Sequence, residues 1–324
     1  MSWWSLDPPT FEAAVGDAVW APSIHNSQPW RFRLDEEAID VLLDPARLIT
    51  ACDPTGRAAR ISCGAAAYTL RLALAMRGMP SVVRVGGGPV MARLTPMPAR
   101  PPNPLERRLH AAIPRRRTNR YRFADTPVDP ASRAELIRAA RDEGGWLDLL
   151  PPGPAIDMVA MLTREADEIL SRSDEYVAVL RAWTRRMEES TDGISTTAGG
   201  PAPDPYEVLA RRDFGGAHGS MTHDDTREPL VGVLGVFGDE PPDDVRAGMV
   251  LQRVLLTATD LGLTSALFSQ PIEVPSVREK LRLALSKRQD PRMVLRFGYA
   301  VTRAHSRRRP VHEVIDVSHD GARR

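Results

Sequence analysis

Two spacings of apolar residues alternate along the chain, and the changes between them mark the elements. Phe11, Ala14, Val15, Ala18 and Val19 recur at helical spacing and predict a first helix. Thr10 reads as its cap, after Pro8 and Pro9, and Pro22 as its end. Trp30, Phe32 and Leu34 then alternate with Arg31 and Arg33, which predicts a strand, and 38–44 reads as its hairpin partner. A small-residue helix over 61–78 closes on Gly78, and short strands follow at 81–87 and 90–96. The stretch PMPARPPNP at 96–104 reads as a stiff linker. Beyond it the pattern predicts helices over 105–113, 131–141, 157–171 and 174–189. A strand over 230–238, helices over 243–262 and 275–286, and a strand over 292–300 follow. Residues 190–206 and 213–225 have no period and read as loop.

The two halves echo each other. AAAYTLRLALAMRG and VLQRVLLTATDLGL are long helices ending in a glycine turn, and NSQPWRF and RRTNRYRF each lead to an aromatic residue. The pattern fits an internal duplication and equally fits the chance likeness of amphipathic helices.

Composition narrows the function. The chain has 324 residues, enough for one large domain or two, and 42% of them are apolar. A net charge of +1 and Arg clusters without interleaved aromatic residues disfavour a nucleic-acid binder. Cys52 and Cys63 are too few for a disulfide framework or a cysteine zinc site. The start, MSWWSLDPPT, lacks the basic and apolar regions of a signal peptide, and no apolar run reaches membrane length. The expectation is a soluble cytoplasmic protein with no membrane partner.

Two stretches carry candidate chemistry. PRRRTNR places Arg115, Arg116, Arg117 and Arg120 around Thr118 and Asn119. Such crowding is unfavourable unless the charges are solvated or meet an anion, and a phosphate suits forked donors beside a hydroxyl. A solvated basic turn is the bland reading, and the same choice holds for Arg307, Arg308 and Arg309. APSIHNSQPWRF at 21–32 offers neutral donors and acceptors in Ser23, Asn26 and Gln28, flanked by Pro22, Ile24 and Trp30. These could line a polar ring and pack its flat face. The alternative is a capped turn with His25 satisfied by backbone. Other motifs fail. DFG at 213–215 lacks the rest of a kinase, GGG at 86–88 lacks a phosphate-loop lysine, and no GxGxxG opens a helix. HGSMTHDD at 218–225 lacks a clear third metal ligand, so no metal is expected.

The motifs together carry a resemblance. APSIHNSQPWRF resembles the PSxxNxQPWxF signature of the nitroreductase superfamily, RRTNRYRF resembles its RRSxRxF, and SRRRPVHEV is similar to its basic RRPLEEV tail. The order of motifs resembles the double-length, Acg-like branch, over residues 10 to 317. The resemblance implies an α+β fold of two tandem nitroreductase-like halves packed as an intramolecular pseudo-dimer. They would be residues 1–100 and 101–324, with a lid insertion about 190–228. It also implies FMN as cofactor. Arg116, Arg117, Thr118 and Arg120 would meet the phosphate and the pyrimidine edge, joined by Arg308 and Arg309. Pro22, Ser23, Ile24, His25 and Asn26 would line the ring and ribityl chain. Ser269 and Gln270 fall beside the place whose backbone meets flavin N5, and Pro271 sits at or next to it.

Only one site would survive the fusion. MSWWSLDPPTFEAAV has no arginine, and no second PSxxN follows residue 123. In such proteins the flavin carries the chemistry and the protein supplies position and charge. The implied activity is NAD(P)H-dependent reduction of a small acceptor, such as a nitroaromatic or a quinone. No side chain is needed as a nucleophile, so none is named as catalytic. The rival is an FMN-sequestering protein closed by the insertion. A fused pseudo-dimer is expected to be a monomer.

Overall fold

A computed structural model describes residues 6–35, 37–184, 186–203, 207–215, 229–300 and 306–316. The elements run α1 (Pro8–Ala18), β1 (Trp30–Leu34), β2 (Ile39–Leu43), α2 (Arg57–Met76), β3 (Ser81–Val85) and β4 (Val90–Pro96) in the first part. The second part holds α3 (Pro104–Ala112), α4 (Pro130–Asp142), β5 (Gly145–Leu149), α5 (Pro154–Ser171) and α6 (Asp174–Thr184). It continues through β6 (Leu230–Val236), α7 (Pro241–Asp260), β7 (Thr264–Phe268), α8 (Gln270–Glu273), α9 (Pro275–Ala284), β8 (Pro291–Gly298) and α10 (Val311–Val314).

Asp7, not Thr10, caps α1. Its Oδ1 accepts from the Thr10 amide at 2.7 Å. Pro8 and Pro9 fill the first helical positions, where no N–H is required. The helix stops at Ala18, ahead of Pro22.

The strands form two antiparallel sheets, ordered β1-β2-β4-β3 and β5-β6-β8-β7. The order is the same in both. Each sheet also has one register shift at the corresponding place, between Val41 and Leu42 in β2 and between Leu234 and Gly235 in β6. α2 lies on the first sheet, α7 on the second, and the two 20-residue helices pack against each other between them. α2 is small-faced, with Cys63, Gly64, Ala65, Ala66 and Ala67 all buried, so the helix backbones come close.

The halves differ in their connections. Four residues, 35–38, separate β1 from β2, whereas 150–229 lie between β5 and β6 and carry α5 and α6. The stretch 190–228 is the later part of this connection. The tail crosses back to the first sheet. Asp316 donates its amide to the Phe32 carbonyl at 2.8 Å, and Val314 is buried in the first half's core.

Two strands escape the sequence pattern. β5 follows Gly144 without a visible break, and β7 is buried on consecutive positions without alternating. The helix expected over 174–189 ends at Thr184, where the chain turns so that the Arg186 amide meets the Ile194 carbonyl at 3.1 Å. The His/Asp run at 218–225 lies outside the described residues. Among the described residues no helix is long and apolar enough to cross a membrane.

Candidate functional site

The polar run after α1 is wound tightly. His25, Asn26 and Gln28 have φ of 46°, 57° and 51°, the left-handed region. Such residues cost on the order of 1–3 kcal/mol each and persist only where the surroundings fix them. Here they are fixed. Ser62 on α2 accepts from the Ile24 amide at 3.2 Å, and Ser23 Oγ accepts from the Gln28 amide at 3.0 Å. Asn26 Nδ2 donates to the carbonyls of Gly193 at 2.9 Å and Arg307 at 3.0 Å. Gln28 donates to the Thr191 carbonyl at 2.8 Å and accepts from the Arg309 amide at 2.9 Å. The segment thus holds the insertion and the basic tail together. Gln28 is consumed by that task, and Asn26 retains only Oδ1 without a partner.

A cationic cavity opens beside it, faced by Trp20, Asn26, Arg116, Arg117, Arg120 and Arg308. Among the described residues no carboxylate lines it. Arg116 is 4% exposed, its nearest carbonyl (Trp20) is 3.5 Å away, and its Nε and Nη1 have no partner. Arg117 and Arg308 stand over the Trp20 ring at 5.3 and 5.6 Å. Burial first, then Arg117 and Arg120, lowers the Arg116 guanidinium to about 10. Burial lowers Arg120 to about 10, and burial with the charges of Arg116, Arg117 and Arg120 lowers Arg308 to about 9. All three stay protonated at neutral pH. Buried cations with unpartnered donors and no carboxylate partner among the described residues favour an anion beside them.

The cavity runs into a larger apolar chamber and shares Pro22, Ser23, Thr118 and Arg120 with it. RRTNR reaches this junction because Asn119 donates its amide to the Ser265 carbonyl of β7 at 2.8 Å. Ile61, Leu251 and Phe268 line the chamber from α2, α7 and β7. The insertion supplies another wall through Ile194, Gly199 and Phe214. Arg120 donates to the Ala198 carbonyl at 2.9 Å, Tyr121 Oη to the Thr197 carbonyl at 2.9 Å, and the Arg120 ring-side contact is Phe214 at 4.8 Å. Gly200 sits so close that a Cβ there would meet the Arg120 carbonyl oxygen at 2.5 Å.

His25 is buried in the chamber wall, and burial, then the charges of Arg212 and Arg120, push its pKa well below the ordinary value. It is neutral, and Arg212 Nη1 lies 3.4 Å from its Nε2. With Arg212 as the donor, the ring proton resides on Nδ1. Arg212 and Glu273 form a buried pair at 2.9 Å, with side chains 4% and 5% exposed. Burial opposes the Arg212 charge, but Glu273 and Tyr176 outweigh it and hold the guanidinium above its ordinary value.

The arrangement suits a ligand with a phosphate at one end and a flat, largely apolar body at the other. No family model matches the chain. A Mycobacterium tuberculosis H37Rv protein named "Putative NAD(P)H nitroreductase Rv3131" is 30% identical over 322 residues, covering 96% of this chain and 92% of its own. Another from the same organism, "Putative NAD(P)H nitroreductase acg", is 27% identical and covers 94% of this chain and 95% of its own. The chain belongs to the NAD(P)H nitroreductase family. Among solved structures, the FMN and NADPH-dependent nitroreductase NfnB from Sphigopyxis sp. strain HMH aligns at 19% identity with a TM-score of 0.41, over 64% of this chain and 97% of its own.

In this member of the family, the structure brings most of the sequence motifs to two adjoining spaces. Pro22, Ser23, Asn26, Arg116, Arg117, Thr118, Arg120 and Arg308 line the cationic cavity, and Ile24, His25, Ser269 and Gln270 line the chamber. Arg309 does not join them. Its Nε pairs with Glu313 at 3.2 Å, and its side chain lines neither space. Pro271 is drawn into α8 and also faces away from the chamber, whereas Ser269 and Gln270 remain on it.

Several residues of the site escaped the sequence reading. Trp20 backs two of the arginines, Ser62 fixes the tight turn from α2, Arg212 was not singled out, and Phe214 lies in a stretch read as loop with a failed DFG motif. RRDF contains the signal, a second arginine pair beside an aromatic residue, but nothing local says which way it faces.

Proposed function

We propose that this nitroreductase binds one FMN per chain and passes electrons from NAD(P)H to a small acceptor such as a nitroaromatic or a quinone. One observation carries the reading: four guanidiniums face one cavity that no carboxylate lines among the described residues, and that cavity opens into an apolar chamber. The phosphate would lie among Arg116, Arg117 and Arg308. The ribityl chain would pass Ser23 and Thr118, and the ring would lie in the chamber beside His25, Ser269 and Gln270. FMN supplies the hydride-accepting and hydride-donating chemistry when bound.

The chain's own residues position and polarise. Arg120, at the junction of the two spaces, would hold positive charge at the pyrimidine edge. Neutral His25 would present a ring without adding charge. The insertion walls would exclude water from the chamber.

The reading extends to the architecture. Residues 1–100 and 101–324 would be two nitroreductase-like halves packed as a pseudo-dimer, which supports a monomeric, cytoplasmic protein. The shared strand order and the α2–α7 packing support it. The test is the visible spectrum of the purified protein as NADPH is added without oxygen. A flavin spectrum that bleaches upholds the reading. A flavin spectrum that persists would favour sequestration, and a colourless protein that takes up no added FMN would sink the composite site.

A further inference from the structure

The apolar chamber reaches solvent at a rim formed by the exposed Pro54, Thr55 and Pro275, none of which faces the cationic cavity. Just inside that rim the chamber is lined by Arg57, Arg278 and Arg292. These arginines, with Arg60, are distributed over few carboxylates. Arg60 holds Asp244 Oδ2 with donors at 2.7 and 3.0 Å, and Arg292 Nε stands 2.9 Å from Asp244 Oδ1. Arg278 Nε holds Asp290 at 2.9 Å. Arg292 also reaches Asp239, which is 49% exposed, at 3.2 Å.

Arg57 is the most loosely held of these cations. Its Nη1 donates to Asp290 Oδ2 at 3.2 Å and its Nε stands 3.8 Å from Asp244 Oδ1, and each of these carboxylates has a closer arginine. Asp53, the carboxylate lining this end, is turned away into the start of α2, where its Oδ2 accepts from the Ala59 amide at 2.8 Å. Burial first, then Arg57, and last Arg292 lower the Arg278 guanidinium, while Asp290 works against them. Asp244 and Asp290 would each keep a closer arginine without Arg57.

We propose that Arg57, backed by Arg278, forms an anion subsite at the chamber mouth, which binds the carboxylate or phosphate oxygens of a substrate whose apolar body enters the chamber. This rests on the FMN reading for the identity of the chamber. The phosphate-side arginines would hold the cofactor, and the mouth would select for charge on the second ligand. The favoured substrates are flat apolar molecules with an anionic substituent.

The experiment uses the FMN-loaded protein and its Arg57→Gln and Arg57→Lys variants. Dissociation constants for 4-nitrobenzoate and neutral nitrobenzene are read from perturbation of the flavin spectrum. NADPH is compared with the uncharged donor 1-benzyl-1,4-dihydronicotinamide by anaerobic rapid mixing. Loss of one charge-assisted contact should weaken an anionic ligand by about tenfold or more. Arg57→Gln should do so while leaving the neutral ligands unchanged, and Arg57→Lys should restore much of the loss. A loss confined to NADPH assigns the subsite to dinucleotide phosphates, and one confined to 4-nitrobenzoate assigns it to an acceptor carboxylate. Unchanged affinity for both anions overturns the proposal, as does an equal loss for charged and neutral ligands. Flavin retention is recorded on the same samples. A colourless wild-type chain would sink the cofactor reading alone, and calorimetry with 4-nitrobenzoate would still test the mouth.

Discussion

A Cβ on Gly64 would stand 1.9 Å from the Val245 carbonyl oxygen, and a Cβ on Gly248 would stand 1.9 Å from the Ile61 carbonyl oxygen. The contact is reciprocal, which is what a two-fold axis between α2 and α7 produces. Arg60 and Asp244 pair across the same axis, 184 positions apart. That offset also relates Gly64 to Gly248 and Ile61 to Val245. In a symmetric homodimer Arg60 and Asp244 would be one residue facing its own copy. Here the two positions carry opposite charges and form an ion pair at 2.7 Å. Either Gly64→Ala or Gly248→Ala should destabilise the chain by about 1–3 kcal/mol or more, because backbone and not a flexible side chain must move. The double variant should cost less than the sum, since one displacement relieves both contacts. Unchanged denaturant midpoints in the single variants would refute this close approach.

Much of this was legible in the sequence, and what escaped did so for physical reasons. The stripe of α1 and the alternation of β1 read directly, because each buries one face. β7 did not, because Ser265 and Ala266 are buried in succession between the half-buried Thr264 and Leu267, and such burial follows no alternation. The gathering of Arg116, Arg117, Arg120 and Arg308 at one cavity was legible because a dense cluster of like charge stands out in the sequence. The place of Arg309, in the same run, was not, because its partner Glu313 lies on the next turn of chain, and a side chain can turn either way. The roof of the chamber was least legible. Arg212 and Phe214 reach it through an insertion whose path is set by tertiary contacts and not by local pattern.

The phosphate end makes its own prediction. Arg308→Ala should weaken FMN by about ten- to a hundredfold, the worth of one charge-assisted bond. It should leave riboflavin, which has no phosphate, nearly unaffected. The pH dependence follows from the depressed guanidiniums, about 9 for Arg308 and about 10 for Arg116 and Arg120. A bound phosphate would raise these values, so its affinity is fully present below about pH 9 and is lost as pH rises through the free-site values. The preference for FMN over riboflavin, measured by fluorescence titration at pH 7 and pH 10, should fall accordingly. A constant preference would mean that these cations do not meet the phosphate.

His25 gives a signal at the opposite end of the pH range. Its pKa lies well below the ordinary value in the folded chain, from burial and from Arg212 and Arg120. The unfolded chain therefore takes up this proton first as pH falls. Its contribution to stability is whole above about pH 6.5, the unfolded value, and is lost below it. His25→Asn tolerates the left-handed backbone and removes the titration. Urea midpoints from pH 7.5 to pH 5 should fall more steeply for the wild-type chain than for this variant. Parallel curves would show that His25 is not held neutral.

The pair between Arg212 and Glu273 joins the insertion to α8, and its exposure of 4% and 5% decides how it must be tested. Removing one partner leaves a buried charge, so Arg212→Ala or Glu273→Ala should each cost about 3–5 kcal/mol. Replacing both, as Arg212→Met with Glu273→Leu, should recover most of that loss, because neither charge then remains. The pair also keeps two buried atoms without partners, Arg212 Nε and Glu273 Oε1, in residues that line the chamber. Its net stabilising effect is therefore small, and it serves to fix where the insertion sits. Amide exchange over 207–215 should thus stay fast in the double variant even when its global stability returns. If exchange there slows to the wild-type rate in the double variant, apolar packing alone seats the insertion and the ion pair has no positioning role.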